Sequence, residues 1–101
     1  MNARLLDTEL ETFIHSLESG TIAKVLRVIE LLEMFGNRLG MPHSKSVGYG
    51  LFELRIRGIQ EVRIFYAFTG GEAVLLHGYV KKSRRAPLKE LQTARRKRKS
   101  S

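Results

Sequence analysis

Between residues 55 and 85 the chain carries a group of side chains suited to gripping a phosphate. Arg55, Arg57 and Arg63 fall at alternate positions of two extended stretches, and Lys81, Lys82, Arg84 and Arg85 follow directly on a third. A period of two places residues of equal parity on one face of a strand, here the solvent side of a sheet. Guanidiniums on neighbouring strands of one face lie within about 5–8 Å of each other and repel unless an anion sits between them. A planar guanidinium holds two phosphate oxygens and stays charged at every accessible pH. His77 and Tyr79 share a face of the third stretch by parity. An imidazole can serve as acid or base, which makes His77 a proton-transfer candidate, while its apolar neighbours equally suit a hydrogen-bonded core histidine. The arginine face also has a purely structural reading, in which Glu53 and Glu61 neutralise it.

The elements that must position these residues follow from patterning. In Leu51–Arg57, Phe52, Leu54 and Ile56 alternate with Glu53, Arg55 and Arg57, which predicts a half-buried strand. After a break at Gly58–Gln60, Glu61–Phe68 sets Val62, Ile64, Tyr66 and Phe68 against Arg63, and Gly70-Gly71 predicts a tight hairpin. Ala73–Val80 is almost continuously apolar, as in a strand covered on both faces. Ahead of this meander, Thr8-Glu9-Leu10-Glu11 reads as a capping box with Thr8 as cap. Leu10, Phe13, Ile14 and Leu17 then form one helical stripe, Gly20 ends the helix and Thr21 caps the next. Ile22–Phe35 predicts a second, mostly buried helix that includes Leu26 and is closed by Gly36. Asn37–Gly50 reads as a loop containing His43-Ser44-Lys45, a triplet that suits loop dressing or an accessory grip on a polyanion through His43 and Lys45. Pro87 opens a third helix with Leu88, Leu91 and Ala94 on its short apolar edge. His15 lies off the apolar stripe and takes no role. The expected architecture is α+β in one domain spanning residues 1–101. A two-helix hairpin packs on a small antiparallel sheet, followed by a C-terminal helix and a basic tail from about residue 95, with the helices on one side of the sheet.

Charge narrows the partners. The net charge is +8, yet residues 81–101 hold ten cations against Glu90 alone, so the whole excess lies in the last fifth of the chain. Such asymmetry points to a polyanion, most often nucleic acid, with a solvated basic tail as the plainer account of Arg95–Ser101. There is no cysteine, and His15, His43 and His77 lack metal-ligand spacing, so neither a metal nor a cofactor is expected. No apolar run approaches the ~20 residues of a membrane span, and no signal-peptide pattern opens the chain. A cytoplasmic protein is expected.

Several strings, in order, carry a resemblance: Arg38-Leu39-Gly40-Met41-Pro42-His43-Ser44-Lys45, Leu51-Phe52-Glu53-Leu54-Arg55, Arg63-Ile64-Phe65-Tyr66, Leu75-Leu76-His77-Gly78-Tyr79-Val80-Lys81-Lys82 and Ala86-Pro87. In these the chain resembles RelE/HigB-type toxins of type II toxin–antitoxin systems, in particular the phage-derived HigB-like group. The resemblance implies a RelE-like fold and a helix–turn–helix antitoxin as partner in a hetero-oligomer. It also implies endonucleolytic cleavage of mRNA, usually on the ribosome. Family members usually open with an extended strand. Here only Met1–Leu6 precede the first helix, so Arg4-Leu5-Leu6 either forms a stub of that strand or the strand is missing.

Metal-free RNA cleavage requires deprotonation of a 2′-hydroxyl, neutralisation of a phosphorane-like transition state, and protonation of the leaving 5′-oxygen. Under the resemblance, Arg55 and Arg63 serve the transition state, and His77 and Lys82 are the proton-transfer candidates. Arg57, Lys81, Arg84 and Arg85 hold flanking backbone, and Tyr79 serves as a further proton-transfer candidate or, with Tyr66, as a stacking platform. Two other readings stand beside this one. ParE-like relatives bind DNA gyrase without nuclease chemistry, and a non-catalytic RNA- or ribosome-binding module would use the basic C-terminus alone.

Overall fold

The computed structural model describes residues 1–85 and 87–101, so Ala86 of the Ala86-Pro87 string lies outside the described residues. Five strands form one sheet: β1 (Ala3–Leu5), β2 (Ser44–Gly48), β3 (Leu51–Ile56), β4 (Val62–Thr69) and β5 (Glu72–Val80), in the order β1-β5-β4-β3-β2. The β3–β4–β5 meander is antiparallel, as its alternation requires. Gly70 and Gly71 turn its second hairpin at φ 59° and 81°, a region open to glycine without steric cost. β1 is the N-terminal stub, and it pairs parallel to β5, which makes the sheet mixed. β2 corrects the reading of Asn37–Gly50 as loop. Its sequence, Ser44-Lys45-Ser46-Val47-Gly48, has little β character, and only pairing to β3 makes it a strand.

Three helices, α1 (Thr8–His15), α2 (Ser19–Phe35) and α3 (Leu88–Lys99), cover the sheet. The cap of α1 is Asp7 rather than Thr8: its carboxylate accepts from the Leu10 amide at 3.0 Å, satisfying one of the free donors of the first turn. Gly20 and Thr21 do not separate two helices either. Both lie in the first turn of α2, and Thr21 is buried there. Gly36 closes α2 at φ 57° as anticipated. The buried stripe of α2 is narrower than its composition implies, since Val25, Val28 and Leu32 face the core while Leu26 is 53% exposed.

The helices lie on both sides of the sheet, not one. α1 and α2 pack Leu10, Ile14, Val25 and Leu32 on Leu54, Ile56, Ile64, Tyr66 and Leu75. The opposite face of β4 and β5 is also apolar through Phe65, Ala67, Val74 and Leu76, and α3 covers it with Ala94 and Leu91. A sheet apolar on both faces must be covered twice. The basic residues from Arg95 onward continue α3 to Lys99. Lys97 ties this helix to α1, with its ammonium 2.6 Å from Glu9 and 3.1 Å from Asp7.

Candidate functional site

The register of the meander brings Arg55 opposite Arg63, and Arg63 opposite Tyr79, so the three form a row across β3, β4 and β5 on the α3 side of the sheet. The two guanidiniums therefore share a face. That face is not open at Arg63, however, which is only 2% exposed. Its row neighbours are both large, and two carboxylates close over its charge. Arg63 Nη2 lies 3.5 Å from Glu61, its Nε 3.9 Å from Glu53, and its Nη1 donates to the Val62 carbonyl at 3.0 Å. Glu53 also stands 3.8 Å from Arg55 Nε, and Glu61 3.8 Å from Arg57 Nη1. The pairing with Glu53 and Glu61 is thus real, yet it leaves the Nε atoms of Arg55 and Arg63 buried without a hydrogen-bond acceptor.

Next to this row lies an open cleft of about 350 Å³ lined by Arg55, Arg57, Glu61, Arg63, Lys81, Lys82, Ser83 and Arg84. Six cations meet one carboxylate on its walls. The end of β5 brings Lys81 against β4, where its amide donates to the Glu61 carbonyl at 2.6 Å, and Lys82 and Arg84 follow in the exposed segment beyond. Glu61 is held below its ordinary pKa chiefly by the Gly58 N–H, which donates at 3.0 Å. Burial opposes this, and Arg63 and Arg57 reinforce it. A carboxylate stabilised in this way is a weak base and a firm anchor for guanidiniums.

The remaining residues singled out in the sequence are distributed as follows. Arg85 is exposed just past the cleft wall. Lys45 is exposed on β2 opposite Glu53, hence on the same face of the sheet. His43 is half-buried before β2, and its carbonyl accepts from the Arg55 amide at 2.9 Å. It lines a neighbouring groove of about 490 Å³ together with Arg55 and Arg57 of β3 and Lys24 and Arg27 of α2. Those two α2 cations were not anticipated, because nothing in a helix's own pattern says which strand end it will overhang.

His77 and Tyr79 are on the Arg63 face, as parity allows, but His77 does not join the cleft. It lies opposite Phe65, two residues before Tyr79 on β5, and its Nε2 sits 2.8 Å from Glu90 of α3. Around it are Glu9, Leu10, Phe13, Gly78 and Lys97, a separate pocket between α1 and α3. Tyr79 is buried against Phe65, with ring centroids 5.8 Å apart, and burial together with the Glu53 charge raises its hydroxyl pKa. Tyr66 faces the opposite core and hydrogen-bonds Ser44 at 2.6 Å. Neither ring is free to stack on a base, because both fill the cores that hold helices on the sheet. Among the described residues no cluster of three or more His, Asp or Glu is arranged to hold a metal ion. No helix there is long and apolar enough to cross a membrane.

Three helices on a five-stranded mixed sheet, with a cationic row across the meander, define an α+β protein consistent with the RelE-like fold. The chain belongs to the family described as "Phage derived protein Gp49-like (DUF891)", whose model matches residues 12–99, a RelE/HigB-like toxin family. In comparison with curated proteins nothing matches.

Proposed function

We propose that this protein is the toxin of a type II toxin–antitoxin pair, an endoribonuclease that cuts mRNA on the ribosome without a metal ion and is silenced by a helix–turn–helix antitoxin. The observation that carries the reading is the Arg55–Arg63 pair on the inner wall of a cleft with six cations and one carboxylate. Glu53 and Glu61 offset only part of this charge, so the cleft wall stays net positive, and guanidinium and ammonium groups at its open side suit a phosphate. In this reading Arg55 and Arg57 hold the scissile phosphate, while Arg63, from behind, adds charge and fixes the two carboxylates. Lys81 and Arg84 hold the flanking backbone. Lys82, exposed at the rim, donates a proton to the leaving 5′-oxygen as the 2′-oxygen attacks phosphorus, and the 2′-hydroxyl proton passes to solvent water. The burial of Tyr79 and the engagement of His77 by Glu90 favour Lys82 over both for that step. The antitoxin would act by covering the cationic face or by displacing α3.

The test is induction in a bacterial host followed by primer extension on abundant transcripts. Wild type should stop growth and leave discrete cuts. Arg55→Ala, Arg57→Ala and Lys82→Ala should each reduce cutting by roughly ten- to a hundred-fold, in keeping with several donors sharing one transition state. Growth arrest with intact transcripts rejects the nuclease. A DNA-damage response would then favour gyrase binding, and a translation block without cuts would favour a non-catalytic ribosome binder.

A further inference from the structure

On the far end of β3 from the cleft, the β2–β3 turn presents a tyrosine in an unusual way. Tyr49 has φ 56°, between Gly48 at 92° and Gly50 at 75°. A bulky residue rarely adopts the left-handed region, where glycine or asparagine is favoured, so a tyrosine there points to function rather than folding. The ring gains little from burial, since Tyr49 is 83% exposed. One of its faces is covered by the Arg95 guanidinium, whose Cζ lies 4.8 Å from the ring centroid. Arg98 donates to the Tyr49 carbonyl and packs so closely on Gly50 that a Cβ there would meet its Nη1 at 2.8 Å. Tyr49, Leu51, Arg95, Arg98 and Lys99 enclose an open pocket of about 430 Å³. Among the described residues no carboxylate pairs with Arg95, Arg98 or Lys99, and Arg95 Nε is buried without an acceptor, the same condition found for Arg55 and Arg63 in the cleft.

The geometry points to a second RNA subsite, in which an unpaired base stacks on the outer face of Tyr49 and its phosphate is held by Arg98 and Lys99. The inference rests on the RNA reading above and extends it to residues outside the cleft. A ring backed by the Arg95 guanidinium is a stacking platform for any nucleobase, and Arg98 and Lys99 beside it supply the phosphate contacts. An acidic peptide would use the cations and leave the ring idle, which makes RNA the better match. Leu51, at the pocket, and Arg55, at the cleft, stand on the same side of the sheet. Four steps along the strand separate them by about 13 Å, a span within reach of a single strand of a few nucleotides. The subsite would thus hold RNA in register while the cleft works on a neighbouring phosphate.

The experiment uses the full chain and a 2′-O-methyl RNA of about twelve nucleotides, which cannot be cut at a 2′-hydroxyl. Tyr49→Gly removes the ring and relaxes the backbone, so it should fold as well as wild type by thermal melting. It should bind the RNA about ten-fold more weakly by fluorescence anisotropy. Tyr49→Trp places the only indole in a chain that has no tryptophan. It should bind like wild type, and its emission should be quenched by the RNA, also in an Arg55→Ala background. If wild type binds RNA but Tyr49→Gly binds equally well and the indole emission is unmoved, the subsite is refuted while the RNA reading stands. If oligoglutamate shifts the indole emission as RNA does, the site recognises carboxylates and the inference is likewise overturned. If wild type fails to bind the RNA at all, the subsite is refuted, and the nuclease reading is decided by the transcript cuts alone. RNA bound through Tyr49 without any cutting of transcripts supports the subsite and removes the nuclease.

Discussion

Arg63 is the residue whose replacement tests how charge is held beneath the cleft. It is 2% exposed, within 3.5 Å of Glu61 and 3.9 Å of Glu53, and hydrogen-bonded to the Val62 carbonyl. Arg63→Met keeps the apolar stem and deletes the charge, which strands two partly buried carboxylates. Removing one partner of a buried ion pair costs about 3–5 kcal/mol. Glu53 retains Arg55, and Glu61 retains Arg57 and the Gly58 amide, so the lower end of that range, ~3 kcal/mol, applies here. A domain of this size has only about 5–15 kcal/mol in total, and ~3 kcal/mol corresponds to a fall in Tm of about 12–24 °C. Urea denaturation followed by far-UV circular dichroism reads the difference directly. Adding Glu53→Leu to Arg63→Met removes one stranded carboxylate and should return about 1 kcal/mol, a coupling typical of residues in contact. A loss below about 0.5 kcal/mol, the range of surface substitutions, would refute the buried position of this guanidinium between carboxylates. It would also return Arg63 to the solvent face that its alternation suggested.

Two further outcomes follow from the same packing. Gly78→Ala should destabilise by about 1–3 kcal/mol in urea, because a Cβ would stand 2.7 Å from Phe13 and 3.2 Å from Leu10, where α1 crosses β5. Glu61 is held below its ordinary pKa of 4.5 by the Gly58 N–H, against burial and with help from Arg63 and Arg57. A folded-state pKa below the unfolded one contributes stability that is present above the unfolded value and lost as pH falls through the folded value. The stability gap between wild type and Glu61→Gln should therefore be full near neutrality and shrink as pH drops below about 4.5. A gap unchanged down to about pH 2 would contradict the shift.

Much of the frame is written locally. The alternation of Phe52, Leu54 and Ile56 with Glu53 and Arg55 requires a strand with one buried face, and Gly70-Gly71 requires the hairpin that follows. The stripe of Leu10, Ile14 and Leu17 and the stop at Gly36 place two helices before the meander. Each of these depends on neighbours within a few positions. β2 was not legible, because Ser44–Gly48 becomes a strand only by pairing to β3. The side of the sheet taken by α3 was not legible either, since Ala94 and Leu91 carry too small an apolar edge to name a partner.

The candidate site divides in the same way. Residue types and parity alone pointed to Arg55 and Arg63 on one face and to a cluster of cations leaving the last strand, because a strand turns every second side chain the same way. Tertiary structure decided that Arg55 stands directly opposite Arg63, that Glu53 and Glu61 bury the latter, and that His77 turns to Glu90 of α3 instead of the cleft. It also brought Tyr49 against Arg95, residues 46 positions apart in the chain. Register and helix docking are settled by the fit of whole surfaces, and no local period encodes that fit.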